Sequence, residues 1–471
     1  MFPYIPTTPE DQKEMLEVAG LNSLDDLFSD IPKDMRLDRE LDLPKAKSEL
    51  EVMTYLNSLA KKNCSLSELT CFLGAGAYDH YIPSVVDHVI SRSEFYTSYT
   101  PYQPEISQGT LQYIFEFQTL ICQLTGMDVA NASLYDGGSA IAEAALMTAA
   151  HSRKDEIIVS KTVSPQSRRV LKTYAHVQNL TVVEVDMKDG ITDLDQLKEK
   201  VSDKTAAVIA QSPNFFGIIE DLKTIGEIAH TGKKTSFIAS VDPISLAILK
   251  KPSELDVDVV VGEAQGMGIP LSFGGPYLGF MATKKDYLRK IPGRIVGETV
   301  DVNGKRSYVL TLTAREQHIR REKATSNICS NQGLNTLAAT VYMVTLGKQG
   351  LKEVALQSTK KAHYAYEQFT KSGKYKPVFD QPFFKEFVVK SDIDSDKILT
   401  DLRNENIIGG YDLAINYPEF KNSIMYAVTE KRTKDEIDKL CSVLEGIKWR
   451  NMKSLYSNYL SQEEKHTIFQ N

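Results

Sequence analysis

The residues of this chain that could do chemistry gather in a few stretches broken by glycine or proline. One runs from Cys71 to Gln112 and holds Tyr78, Tyr81, Tyr96, Tyr99 and Tyr102 with Asp79, His80, Glu105 and Ser107. Aromatic rings with hydroxyl tips suit a pocket that is part apolar and part polar, so the group as a whole is expected to serve a site. Taken singly, each tyrosine is equally well explained as an anchor pinning a long loop to the core. A second stretch places Asp136, Gly137, Gly138 and Ser139 ahead of an alanine-rich helix. The free N–H groups and positive dipole end of such a turn suit a phosphate, although an ordinary helix cap has the same pattern. A third, Val257 to Phe280, passes from a valine-rich run into a loop containing Gly262, Gln265, Gly266 and Gly268. A buried strand that gives way to glycines is the layout of a site wall. One loop earlier, Asp242-Pro243 offers either a carboxylate at a strand end or a plain turn.

These stretches need elements to position them, and the pattern from Ile157 to Ile291 supplies a sheet. Short apolar runs at 157–160, 181–186, 205–212, 235–242 and 257–261 alternate with helical patterns at 167–177, 194–201 and 219–230. That alternation predicts βαβ units and a mainly parallel sheet covered on both faces, whose ligands sit beyond the carboxyl ends of the strands. Ser212-Pro213-Asn214, Asp242 and the Gln265 loop all fall at such ends. Before the sheet, Leu111, Ile114, Phe115, Ile121 and Cys122 recur at helical spacing and Gly126 ends the run.

The domain organisation follows from the same signals. Residues 1–70 read as a helical arm: Thr8-Pro9 and Gly20 frame one helix, and Ser48-x-x-Glu51 and Ser65-x-x-Glu68 open two more. The arm has too little apolar surface to fold alone and is expected to wrap the main domain or a partner. A large α/β domain at 71–335 ends in an arginine-rich connector with Arg315, His318, Arg320 and Arg321. A smaller α+β domain at 336–447 has a helix near 352–370, strands near 385–389 and 423–428, and a last helix capped by Thr433-x-x-Glu436. A polar tail at 448–471 carries Trp449, Tyr456, Tyr459 and Phe469.

Composition narrows the function. With 471 residues, 42% hydrophobic and 25% charged, the chain reads as an ordinary globular protein long enough for a large core. A net charge of −7 with scattered Lys and Arg gives no nucleic-acid footprint. Five dispersed cysteines without a CxxC pair, and eight dispersed histidines, argue for reduced thiols and against a disulfide frame or a metal site. No signal-peptide pattern or membrane span is visible, so a cytoplasmic location is expected. His230–Ser236, HTGKKTS, is no P-loop: Gly226 is one residue too far away and Lys234 stands where Ser or Thr is needed. Nucleophile-elbow and zinc-protease motifs are absent.

The pieces resemble the pyridoxal phosphate (PLP) enzymes of the aspartate aminotransferase type, in which a glycine-rich helix start meets the phosphate. An Asp in the place of Asp242 keeps the pyridinium nitrogen protonated, and a lysine at a junction like Val257–Phe280 forms a Schiff base. Gln265 is the residue in that last place here, and an amide has no basic lone pair for the task. Lys323, in the connector, is the rival anchor.

Longer strings carry a closer resemblance. FLGAGAYDHYIP, FYTSYTPYQPEISQGTLQ, NASLYDGGSAIAEA, FGGPYLGF and TAREQHIRREKATSNICSNQ, between Phe72 and Gln332, are similar to the α-subunit type (subunit 1) of the decarboxylating glycine dehydrogenase, the P-protein of the glycine cleavage system. The resemblance implies a PLP-transferase fold whose own lysine is missing, with PLP held by a lysine-bearing second subunit (β) and an α2β2 assembly. It implies decarboxylation of glycine and transfer of the aminomethyl group to the lipoyl arm of H-protein. Gly137, Gly138, Ser139, Asp242 and Gln265 would then be vestiges of a cofactor site. His80, Tyr99, Tyr102, Glu105 and Ser107 would line a shared glycine and lipoyl pocket, and Arg315, His318, Arg320 and Arg321 would steer the carrier. A scaffold or regulatory subunit, and a self-sufficient decarboxylase using Lys323, are the alternatives.

Overall fold

The apolar runs of the middle of the chain form a seven-stranded sheet in the order Val129–Ala130, Gly279–Thr283, Val259–Glu263, Ser236–Val241, Thr205–Ser212, Glu156–Ser160, Thr181–Val185. The last five of these are parallel to one another, and Gly279–Thr283 joins antiparallel at one side. Successive side chains alternate between two cores. Phe237, Ala239 and Val241 pack in one with Phe117, Ile121 and Phe280, whereas Ile238 packs in the other with Ile141, Ala145 and Ile209. Both faces are thus covered, which is why these strands are apolar along their whole length. The computed structural model describes Tyr4 and residues 6–324, 326–328 and 330–447. The expected tail at 448–471 and Cys329 lie outside the described residues.

Two compact units divide the chain at Cys64/Ser65. In the first, Thr8 and Ser48 cap the helices Pro9–Val18 and Glu49–Ala60 through reciprocal bonds with Asp11 and Glu51, and neither helix buries a residue. Ser65-x-x-Glu68 opens no third helix. The Ser65 N–H does donate to the Glu68 carboxylate at 3.0 Å, but the chain makes only a turn before entering the strand Thr70–Cys71.

That strand pairs parallel with Ile407–Ile408, and Phe72 is buried with Phe369, Phe387, Tyr426 and Leu440. The expected boundary at 70/71 therefore falls inside an element that packs with the C-terminal part. There Lys376–Pro377, Glu386–Lys390, Ser423–Ala427 and Tyr411–Asp412 form a four-stranded antiparallel sheet backed by Ser395–Asn404 and Lys434–Gly446. The helix expected near 352–370 extends over Gly333–Lys371, with a break at Gly347. Its first half places Ala338, Ala339 and Tyr342 in the large core, and its second half places Ala362, Ala365 and Phe369 in the smaller one. One helix thus serves both cores.

A tight turn after Thr205–Ser212 fixes how the two parts meet. Asn214 is buried; its Nδ2 donates to the Gly190 carbonyl at 2.8 Å and Glu220 at 2.9 Å, and its Oδ1 accepts the N–H groups of Phe216 and Ile218. The residues of this segment, a candidate at a strand end, are spent on shaping the chain. Gly217 then takes φ +84°, where a Cβ would run into the Glu386 carbonyl, and its own carbonyl accepts the Phe384 N–H at 3.0 Å. Gly217→Ala combines a left-handed conformation with a backbone collision and is expected to lower unfolding free energy by about 3 kcal/mol or more. Urea titration of the variant checks it; a loss below about 1 kcal/mol would mean that the close approach is not needed.

Candidate functional site

The carboxyl ends of the parallel strands open onto a cavity of about 400 Å3. Its walls come from the Gly74–Tyr78 segment, the Asp136–Gly138 turn, the start of the helix Pro165–Val177, Asp242, Glu263 and the Phe384–Glu386 run. Sequence elements far apart are brought together as the parallel fold requires. Gly262 permits the closeness at the base of the wall, since a Cβ there would meet the Val241 carbonyl and the Phe280 ring.

At one end of the cavity stands the Gly-Gly-Ser turn. Asp136 caps the helix Gly137–Ser152: its carboxylate accepts the Ser139 N–H at 2.7 Å, and the Ser139 hydroxyl accepts the Asp136 N–H at 3.1 Å. The Gly137 N–H donates to Glu263 Oε2 at 2.9 Å, while Glu263 Oε1 accepts from Gln265 and Leu278 at 3.0 Å. Desolvation pushes the Glu263 carboxyl up to about 7, against the N–H groups that favour its charge. The turn thus already holds a carboxyl group of its own chain.

At the other end Asp242 faces a lysine. Lys385 Nζ lies 2.7 Å from Asp242 Oδ2, 3.0 Å from His80 Nε2 and 3.5 Å from the centre of the Tyr78 ring. Burial would raise the Asp242 pKa, but the ammonium beside it holds the carboxyl below its usual range. An ammonium only donates, so His80 Nε2 accepts and Nδ1–H donates to Glu430 Oε2, 2.6 Å away. Burial and Lys385 both push the His80 pKa down, which keeps this neutral tautomer. Tyr78 also donates its hydroxyl to Glu386 Oε2 at 2.9 Å, and Glu386 Oε1 accepts the Ala75 N–H at 2.8 Å.

Gln265 is buried behind the wall formed by Glu263 and Gly266. Its Oε1 accepts the Tyr78 N–H at 2.8 Å, and its Nε2 donates to the carbonyls of Tyr78 at 3.1 Å and Ile269 at 2.8 Å. The side chain staples the Tyr78 segment to the glycine loop. These residues do not fit PLP: the Gly137 N–H meets a carboxyl group, Asp242 meets an ammonium, and Gln265 offers an amide.

The other expected residues are spread more widely. His80, 5% exposed, has both ring nitrogens engaged, and neighbouring Asp79 pairs with Lys431 and Arg432. Tyr99 is 83% exposed, Glu105 is exposed in the turn Pro104–Ile106, and half-buried Ser107 precedes the helix Gln108–Thr125. Tyr102 accepts a hydrogen bond from Arg294 Nη2 at 3.0 Å, with the His318 ring centre 6.1 Å away. The guanidinium of Arg315 bonds the carbonyls of Ile291 and Gly293, while His318, Arg320 and Arg321 are exposed. Lys323 is exposed and does not line the cavity; Lys385 does. Lys385, Glu386 and Glu263 were not singled out from sequence. A charged pair inside the apolar run FFKEFVV, and a Glu closing VVVGE, are the signals that mark them.

Glu386 gives a pH test. Burial pushes its carboxyl up to about 7, against the Ala75 N–H and Lys385, which favour the charged form. The folded protein therefore binds this proton more tightly than the unfolded chain, so stability falls as pH rises from about 4.5 to about 7 and is level above. Glu386→Gln keeps an acceptor for Ala75 and removes that loss. It is expected to be more stable than the parent by about 1–3 kcal/mol at pH 8, with a smaller gain at pH 5.5. Urea titrations at the two pH values check the difference; equal gains would rule out a protonated Glu386 in the fold.

Comparison with known proteins shows the family and the fold. The family model described as glycine cleavage system P-protein matches residues 3–444. A probable glycine dehydrogenase (decarboxylating) subunit 1 of Bacillus cereus (strain B4264) is 57% identical over 444 residues, covering 94% of this chain and 99% of the relative. The protein of the same description from Bacillus mycoides (strain KBAB4) has the same identity and coverage. A crystal structure of glycine decarboxylase (P-protein) of the glycine cleavage system, in inhibitor-bound form, superposes with TM-score 0.86 at 39% identity, covering 94% of this chain and 99% of that one. A Lactobacillus brevis glutamate decarboxylase shares the fold, with TM-score 0.66 at 13% identity over 89% of this chain and 97% of that one. The fold is that of the PLP-dependent transferases, and the chain belongs to the glycine cleavage system P-protein family.

Proposed function

We propose that the chain is the α-type subunit of a two-subunit glycine decarboxylase and is catalytically incomplete alone. The observation that carries this reading is the match along nearly the whole chain to proteins described as subunit 1 of glycine dehydrogenase (decarboxylating). The residue expected to be a Schiff-base lysine supports it, because Gln265 is an amide there and its side chain bonds only backbone groups. A lysine-bearing second subunit holds PLP, and the pair decarboxylates glycine and passes the aminomethyl group to the lipoyl arm of H-protein. An α2β2 assembly in the cytoplasm is the arrangement we infer.

The contribution of this chain lies on its surface. Tyr96, Tyr99, Tyr102 and Ile106 are large, largely apolar and exposed on one short segment, and the polar Glu105 lies among them. A partner subunit that covers them gains apolar burial and brings Tyr99, Tyr102, Glu105 and Ser107 to the rim of its own site. His80 is sealed inside and acts on that rim only through the segment it holds. His318, Arg320 and Arg321 supply exposed positive charge for an acidic carrier, while Arg315 braces the connector beneath them.

Co-expression with the second subunit tests the reading. Glycine-dependent CO2 release is expected from the two chains together and from neither alone; release by this chain alone would overturn it. Within the assembled enzyme, Tyr99→Phe and Glu105→Gln are each expected to lower the decarboxylation rate by about 10- to 100-fold, the loss of one hydrogen bond to a reacting group. Unchanged rates in both would favour the scaffold reading.

A further inference from the structure

Lys385 occupies the place in this fold where a protonated pyridine nitrogen would find its carboxylate. Three features define that place. Asp242 ends the strand Ser236–Val241 at the cavity, the Tyr78 ring offers its face beside the carboxylate, and the Gly-Gly-Ser turn stands at the opposite end. A pyridinium needs a carboxylate acceptor for its N–H and an aromatic face against the ring. Lys385 uses the same two groups, at 2.7 Å from Asp242 and 3.5 Å from the Tyr78 ring centre. It adds a third contact to His80 at 3.0 Å.

The ammonium is held from behind. Lys385 is 2% exposed, and its carbonyl accepts the Val428 N–H at 2.9 Å inside the C-terminal part of the fold. Asp242 is itself fixed by the Ile244 N–H at 2.9 Å. One carboxylate cannot serve two cations in one place, so a cofactor ring enters only if Lys385 leaves Asp242, His80 and the Tyr78 face together. Glu263 stands at the other end of the cavity in the same relation to the Gly137 N–H.

We propose that Lys385 is a built-in stand-in for the cofactor's protonated ring nitrogen and keeps a pyridine ring away from Asp242. The inference rests on the fold and on residues of this chain, and it stands whether or not the chain pairs with a second subunit.

The test uses the full-length chain and pyridoxine. This probe has the pyridine ring but neither an aldehyde to react with surface lysines nor a phosphate to meet Glu263. Lys385→Ala leaves Asp242 facing a cavity that admits water and is expected to bind pyridoxine at least about tenfold more tightly than the parent, as read by ligand-observed NMR titration. Lys385→Ala with Asp242→Asn is expected to lose that gain. No gain in a folded Lys385→Ala protein, or a gain that persists in the double variant, overturns the proposal. If Lys385→Ala melts below the assay temperature, the melting points decide. An ion pair at this place requires the double variant to melt higher than Lys385→Ala, and no recovery overturns it.

Discussion

A buried ammonium is costly unless every direction it faces is answered, and the placement of Lys385 organises much of the fold around that need. Desolvating one charge costs several kcal/mol even after relaxation, and a carboxylate at hydrogen-bond distance offsets it only where further partners complete the shell. Asp242 supplies the opposite charge, His80 a lone pair and Tyr78 a π face. Each of these partners is in turn fixed: His80 by Glu430, Tyr78 by Glu386 and Gln265, and Asp242 by the Ile244 N–H. The charges and dipoles alternate in sign along the chain Glu430, His80, Lys385, Asp242, so removing one member exposes its neighbours to the full desolvation cost.

This network joins the parallel and the antiparallel sheet of the larger unit. Lys385 and Glu386 come with the antiparallel sheet, Asp242 and Gln265 with the parallel one, and the Gly74–Tyr81 segment lies between them. The segment is tied to one side by Gln265 and to the other by Glu386, Glu430, Lys431 and Arg432. The helix Gly333–Lys371, which enters both cores, and the close approach of Gly217 to the Glu386 carbonyl set the same spacing by packing alone. Electrostatic and steric constraints therefore agree on one relative placement, which is the condition for a rigid cavity.

The sheet was legible because its signals are local. Five apolar runs separated by helical patterns appear within a residue or two of their expected places, and the Asp136 cap and Thr433 cap form as their side-chain chemistry demands. Asp242 and the glycine turn stood out from the sequence for the same reason, each with a plain structural alternative, and both line the cavity. Lys385 was not, since nothing in FFKEFVVK says which distant carboxylate its amine will meet; that pairing is a property of the tertiary fold. Ser65-x-x-Glu68 shows the converse failure. The capping bond forms, but pairing of Thr70–Cys71 with Ile407–Ile408 draws the chain into a strand before a helix can follow. The break at Gly347 hid the front half of the long helix in a similar way, because its burial against the large core outweighs the local interruption.

The residues in and behind the cavity wall also depend on one another. A lysine at position 265 would have no acceptor for the Tyr78 N–H that Gln265 Oε1 now satisfies, and it would bury a second cation in the same unit as Lys385. Removing Lys385 alone leaves Asp242 to be solvated by whatever enters the cavity. Changing Glu263 alone frees three N–H groups that it now accepts, from Gly137, Gln265 and Leu278. Each single change leaves buried donors or a charge unmatched, at a cost of about 1–3 kcal/mol for every neutral group. The cavity is therefore held in its present form by two satisfied groups, Glu263 with the N–H groups of Gly137, Gln265 and Leu278, and Asp242 with Lys385. A ring with a phosphate would have to displace Glu263 from the Gly137 N–H as well as Lys385 from Asp242.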